Sequence, residues 1–439
     1  MLAIKSARKP RRKGGHPRIA LAVAGGGPIG GIFEIGAVRA LDDAIEGLDL
    51  NALDAYVGVS SGAFVAASLA NRLTTAEMCR IFITGDSDQL HFRPEDFIRP
   101  AIFEYLNRLA GVPRMLLTGL TEFAKHPFDL SVSDSLLRLG SILPTGLFDN
   151  EAIERFLRTA FTAHGRSNDF RKLARKLYIV AVELDSGKAV RFGTEGHDDV
   201  PISRAIEASA ALPGLYPPVA INGKYYVDGA LRYTVHASVA LEAGADLVLA
   251  INPLVPIDTS NANATGKASP TSLVDGGLPY VLSQMFRTLL QSRMQASIPK
   301  YEGKYESSDL LIIEPDHDDA EMFFTNVFSF AHRKRLAEHA YQATLHDLRS
   351  QRKSLAPLLR RHGLSLRDEV LDEPGRTLLS GLEGKPARRS QATSQLHRTL
   401  DDLDRALERT RSPAKTKKKR PRTPASPRTG SARTPSAHS

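Results

Sequence analysis

The stretch IALAVAGGGPIGGIFEIGAVRAL, residues 19–41, decides the fold. Ile19 to Ala24 is a short apolar run that reads as a buried strand. Gly25, Gly26 and Gly27 follow, and from Ile32 the apolar positions recur with helical spacing over IFEIGAVRALDDAIEGL. A strand that feeds a glycine turn at a helix N-terminus presents free amides to a negative charge, either a phosphate or the oxyanion of acyl transfer. Which of the two is meant depends on the next strand.

That strand is AYVGV, residues 55–59, and it runs directly into SSGAFVAASLANRL, a second helical pattern. Gly25, Gly27 and Gly30 satisfy the GxGxxG spacing of a dinucleotide fingerprint, which also needs an acid at the end of the second strand to hold a ribose. Here the second strand ends in Gly58-Val59-Ser60, while Asp42 and Asp43 fall inside the first predicted helix. Gly58, Ser60 and Gly62 instead have GxSxG spacing between a strand and a helix, the pattern of a nucleophile elbow. Glycines flank such a serine because the sharp turn leaves no room for neighbouring Cβ atoms. With a serine nucleophile next door, the amides of Gly25, Gly26 and Gly27 become candidate oxyanion donors.

A serine needs a base. In YYVDGALRYTVHASVALEAGADLVLAINP, Asp228 closes a short strand and is followed by Gly229 and Ala230, where a carboxylate can point into a cleft. Asp275 also heads a DGG triplet, but it follows a polar loop and precedes a helix-like segment, so a turn or helix-start role competes. His236, His317 or His332 could complete a triad in Ser, Asp, His order, although no motif surrounds any of them. Upstream, AIEASAALPGLYPPV is a Ser/Ala-rich helix closed by prolines, suited to close backbone packing.

Taken together, GGGPIG, GVSSG, ASAALPGLYPP and DGA, in this order and spacing, resemble the patatin-like phospholipases over residues 19–345. The resemblance implies a Ser-Asp dyad, with Ser60 as nucleophile and Asp228 as proton acceptor, and hydrolysis of lipid acyl esters with no metal or other cofactor. It maps the oxyanion motif onto Gly25 to Gly30, supported by Gly58, Gly62, Gly229 and Ala230. One departure is Ile29, where the family commonly has Arg or Lys. The change removes positive charge beside the hole and leaves the backbone donors in place.

The alternation of strands and helices to about residue 255, with DLLIIEP at 309–315 as a late strand, implies a three-layer α/β/α domain with a mainly parallel central sheet. The expected organisation is a disordered basic N-terminus over 1–18 and a hydrolase domain over 19–345. Within it, 82–146 is a helical insertion or lid, and a low-complexity loop spans 258–272. A helical C-terminal extension over 346–410 and a disordered basic tail over 411–439 complete the chain. Leu396, Leu400, Leu403 and Leu407 give that extension one apolar stripe, expected to dock on the chain's own domain.

Charge is placed unevenly in the 439 residues: residues 1–18 carry seven Lys or Arg and residues 411–439 nine, with no acid in either. The body between them is therefore acidic, 42 basic against 49 acidic residues. Basic ends favour anionic membranes or nonspecific polyanion contact, and no nucleic-acid module accompanies them. A single cysteine, Cys79, excludes an internal disulfide. No secretory signal follows the basic N-terminus, and no apolar run reaches the roughly 18 residues of a membrane span. The expectation is a cytoplasmic enzyme acting on phospholipid or another acyl lipid, with peripheral membrane contact. A non-catalytic membrane or polyanion adaptor that keeps the hydrolase fold is the alternative.

Overall fold

Residues 20–24 alternate between two environments: Leu21 and Val23 join one apolar cluster, and Ala20, Ala22 and Ala24 join another. Strand side chains point alternately to opposite faces, so a strand apolar on both must lie between two layers. This is the centre of an α/β/α arrangement. In a computed structural model of the chain, residues 2–7, 15–87, 90, 92, 145–163, 165–232, 235–259, 273–319, 321–324 and 330–382 are described. The expected insertion lies almost wholly outside the described residues, as do most of the 258–272 loop, the leucine stripe at 396–407 and the basic tail.

The strands in chain order are β1 (Leu2–Lys5), β2 (Ile19–Val23), β3 (Ile45–Glu46), β4 (Ala55–Val59), β5 (Lys176–Glu183), β6 (Ala189–Phe192), β7 (Val219–Ile221), β8 (Lys224–Asp228), β9 (Leu247–Ile251), β10 (Asp309–Ile313) and β11 (Ser365–Leu366). Nine form one sheet in the order β1-β10-β9-β2-β4-β5-β8-β7, with β6 also paired to β5. The five central strands from β10 to β5 run parallel, and the additions at both ends are antiparallel. No described helix is long and apolar enough to cross a membrane.

Helix α1 (Gly27–Ala44) follows β2 and helix α2 (Ser61–Ala70) follows β4. From Ile32 to Ala44 every residue of α1 except Asp42 is buried, because the helix Phe330–Ser350 covers its outer side. Their approach is close: a Cβ on Gly36 would overlap the Ala337 carbonyl and lie 2.8 Å from the Ala340 Cβ. A buried charged group reinforces the contact. Asp43 of α1 is paired with Arg39 at 3.1 Å, accepts a hydrogen bond from the Tyr341 hydroxyl at 2.8 Å, and another from Arg376 at 2.9 Å.

Two boundaries differ from the sequence expectation. Residues 2–5, expected within a disordered N-terminus, form the edge strand β1, because Leu2 is apolar enough to be buried and β10 offers a free edge. The basic run begins only after Lys5. The boundary expected at residue 345 falls inside the helix Phe330–Ser350, and residues 336–378 contribute Leu336, Tyr341, Leu355, Leu371 and Leu378 to the main core. Residues 346–382 are part of the body, since Leu348, Leu355, Leu371 and Leu378 are buried in its main core.

Gly36→Val should lower stability by about 1–3 kcal/mol through overpacking against the Ala337 backbone, read as a fall in the thermal midpoint.

Candidate active site

In the parallel register Val23 lies opposite Gly58, so the chain leaves β2 and β4 side by side. The glycine turn and the serine turn are therefore neighbours by construction. Ser60 sits between β4 and α2 at φ 50° and ψ −122°. A non-glycine residue at positive φ costs on the order of 1–3 kcal/mol and persists only when its surroundings enforce it.

Those surroundings are glycines. A Cβ on Gly62 would overlap the carbonyl oxygens of Val23 and Ala24, one on Gly58 would come within 2.5 Å of the Ala63 Cα, and one on Gly25 within 2.8 Å of the Ser60 Cβ. The Ser60 amide donates to Ser209 Oγ at 2.8 Å, and that hydroxyl donates to the Val180 carbonyl at 2.6 Å. Ser209 thus pins the elbow to β5.

Asp228 ends β8, on the far side of β5 from Ser60, at the level of Ala181. The chain then doubles back over β5. Gly229 lies so close to the Val180 carbonyl that a Cβ there would overlap it, and Ala230 arrives beside Gly25. This return brings the Asp228 carboxylate near enough to the Ser60 side chain for the hydroxyl to favour its charged form. The Ala230 amide donates to the same carboxylate at 2.8 Å. Burial outweighs both influences and pushes the Asp228 pKa up to about 6.

The glycine turn flanks this pair. Helix α1 starts at Gly27 with Pro28 in its first turn, α2 starts at Ser61, and no described side chain caps either N-terminus. Both helix starts bring the positive end of a dipole beside Ser60; in α2 the Gly62 amide donates to the Ala24 carbonyl at 3.1 Å and the Ala63 amide to that of Ser60 at 3.0 Å, and in α1 Pro28 has no N–H. Gly27 has φ +59°, and Gly26 packs so tightly on Pro253 that a Cβ would meet its ring at 2.5 Å. Ile29, in place of a basic residue, packs against the main core.

The remaining candidates lie elsewhere. Asp275 is exposed in the turn Leu273–Gly276. His236 is buried, with Nε2 3.4 Å from the Gly229 carbonyl, and burial pushes its pKa down to about 4, so it is neutral and braces the turn after Asp228. His317 Nδ1 is 3.2 Å from the Pro256 carbonyl, and His332 is exposed on the helix Phe330–Ser350. No cluster of His, Cys, Asp or Glu among the described residues could hold a metal ion.

Sequence reading missed two residues. Ser209 lies in the Ser/Ala-rich helix, where it reads as small-residue packing. Glu34, fully buried in α1, accepts from Ser61 Oγ at 3.0 Å while its Oε2 has no partner among the described residues. Desolvation holds its carboxyl well above the usual carboxylate range. A lone acid in the apolar run IFEIGAV is the signal that could have found it.

The family model for patatin-like phospholipases matches residues 21–241, from the first central strand past the Asp228 turn. The chain belongs to the patatin-like phospholipase family. Among solved structures it is similar to VipD from Legionella pneumophila, at 14% identity over 94% of this chain and 84% of that one, with a TM-score of 0.36. It is also similar to ExoU of the ExoU–SpcU complex from Pseudomonas aeruginosa, at 17% identity over 93% and 74%, TM-score 0.26. A human GIVD cytosolic phospholipase A2 matches at 13% identity over 77% and 59%, TM-score 0.30. In this patatin-like chain the family match takes in the glycine turn, the elbow and Asp228 in a single stretch.

Asp228 binds its proton more tightly folded than unfolded, so its ionisation destabilises the fold as pH rises from about 4 to about 6, and the loss persists above that. Asp228→Asn should therefore raise stability at pH 8 by about 3 kcal/mol, with the gain vanishing toward pH 4. Thermal melts of both proteins across that range read the difference.

Proposed function

We propose that the protein is a serine lipid acyl hydrolase of the phospholipase A or lysophospholipase type, with Ser60 as nucleophile and Asp228 as its base. The observation that carries this reading is the convergence of the strained Ser60 elbow, the Gly25 turn and the buried Asp228–Ala230 turn, which packs beside Gly25, with the Asp228 pKa pushed up to about 6 by burial. An ordinary aspartate is too weak a base toward a hydroxyl. One raised by burial is better matched to the task and still ionised at neutral pH.

Ser60 Oγ attacks the acyl carbonyl carbon and passes its proton to Asp228. The oxygen of the tetrahedral intermediate takes its negative charge against the amides of Gly25, Gly26 and Gly27, which would lower the barrier most. Collapse breaks the ester bond, and the leaving alkoxide takes the proton back from Asp228, giving an acyl-Ser60 and a free alcohol. Water, deprotonated by Asp228, then attacks the acyl-enzyme and releases the fatty acid, restoring Ser60. The steps balance with no redox partner. The apolar neighbours Val59, Val180 and Ala230 favour this low-dielectric chemistry.

Ser60→Ala and Asp228→Asn should each lower kcat for phospholipid or lysophospholipid hydrolysis by at least about 1000-fold while the protein stays folded. Wild-type kcat/KM should rise with pH through about 6 as Asp228 ionises. Retained hydrolysis in either variant, measured by fatty-acid release, would reject the dyad.

A further inference from the structure

The helix Gly277–Lys304 is apolar on two sides: Leu290 and Met294 are buried in the second core cluster, with Phe286 and Ile298 packed against it. Its inward residues also include Gln284, Arg287 and Gln291, and each is occupied. Gln284 clasps Ile257, accepting from its amide at 3.1 Å and donating to its carbonyl at 2.7 Å. Arg287, buried, donates to the Val255 carbonyl at 3.1 Å, and Gln291 accepts from Asn252 at 3.3 Å. Its outward row is apolar as well: Leu278 is 68% exposed, Leu282 54%, Met285 64% and Leu289 51%.

These four fall at i, i+4, i+7 and i+11, a single line about 16 Å long. They are four of the nine large hydrophobics that are exposed among the described residues, so the apolar surface is gathered here instead of scattered. From Gly277 to Pro299 the helix has no acid. The next exposed position along the row is Arg293, whose guanidinium reaches the Leu231 carbonyl at 2.8 Å, in the turn after Asp228. The inward clasp is on Asn252–Ile257, the segment whose Pro253 packs on Gly26 and Gly30. This face is thus fixed to both halves of the candidate site.

We propose that the face formed by Leu278, Leu282, Met285 and Leu289 seats the protein on the surface of an anionic phospholipid bilayer; this rests on the lipid-hydrolase reading above. An uncharged apolar row lowers its free energy by entering the acyl boundary, and the absence of acids with Arg293 at its end suits phosphate headgroups. The helix lies along the surface instead of crossing it, in keeping with an inner side that is packed on and hydrogen-bonded to the body. A substrate whose acyl chains stay in the leaflet would then meet a site held at a fixed height above it.

The test separates binding from catalysis by using Ser60→Ala protein with vesicles of phosphatidylcholine and phosphatidylglycerol. The parent should float with the vesicles, and Leu282→Glu/Met285→Glu in the same background should lose at least about tenfold in partition. The thermal midpoint should be unchanged. With Ser60 restored, the double variant should hydrolyse a monomeric short-chain ester at the wild-type rate and vesicle phospholipid at least about tenfold more slowly. Equal partition of parent and variant, or no partition of the parent, overturns the proposal. So does conversion of a dimer to a monomer with partition unchanged, which assigns the face to a second copy of the chain. Vesicle binding lost in the variant, alongside wild-type protein that hydrolyses no ester, sustains this surface and rejects the hydrolase reading.

Discussion

Everything in the site depends on one strained residue. Ser60 can hold φ 50° and ψ −122° because three neighbouring positions lack a Cβ and because Ser209 fixes its amide. The strain has a geometric return: the hydroxyl stands clear of the sheet at the mouth of α2, and the glycine turn of α1 closes to contact distance. Relaxing Ser60 to an ordinary helical or extended conformation would swing Oγ away from both the Gly25 turn and Asp228. The parallel pairing of β2 with β4 sets the distance between the two turns, and β5 provides the Val180 carbonyl on which Ser209 and Gly229 both converge.

The site contains two buried carboxyl groups that meet the same penalty in different ways. Asp228 accepts from the Ala230 amide at 2.8 Å and has the Ser60 hydroxyl near it, and its pKa is about 6. Glu34 accepts from Ser61 alone among the described contacts, keeps one oxygen without a partner, and is raised well above the usual carboxylate range by burial. One difference between them is the amide in the tight turn after Asp228, which favours the charged form of that carboxyl.

How much of this was legible in the sequence follows from where the controlling interactions lie along the chain. The strands β2 and β4 and the elbow are local: apolar runs stop at glycines, and GxSxG carries its own steric reason. The start of α1 was less so. The pattern placed it at Ile32, yet the helix begins at Gly27, because Pro28 suits the first turn and burial against the helix Phe330–Ser350 overrides the low propensity of the glycines. The approach of Asp228 could be inferred from the resemblance but not from pattern, since it depends on an antiparallel addition to β5 and a return over Val180. Ser209 acts through a hydrogen bond across 149 positions, and nothing local distinguishes it from its alanine neighbours. Residues 2–5 and 346–378 were set outside the domain because their partners, β10 and the main core, are also distant in sequence.

The helix Gly277–Lys304 shows the same limit in reverse. Periodicity offers Leu278, Leu282, Met285 and Leu289 as a buried face, yet the structure buries Leu290 and Met294, with Gln284, Arg287 and Gln291 on the same inner side. That choice follows from what the inner side must cover. Beyond β9 the chain runs through Val255 and Ile257 outside any strand, leaving main-chain groups that need partners where water is excluded. Glutamine and arginine side chains can reach those groups, and leucines cannot. The demand for hydrogen bonds beside the glycine turn thus fixes which face of the helix turns inward, and the apolar row is left outward by the same rotation.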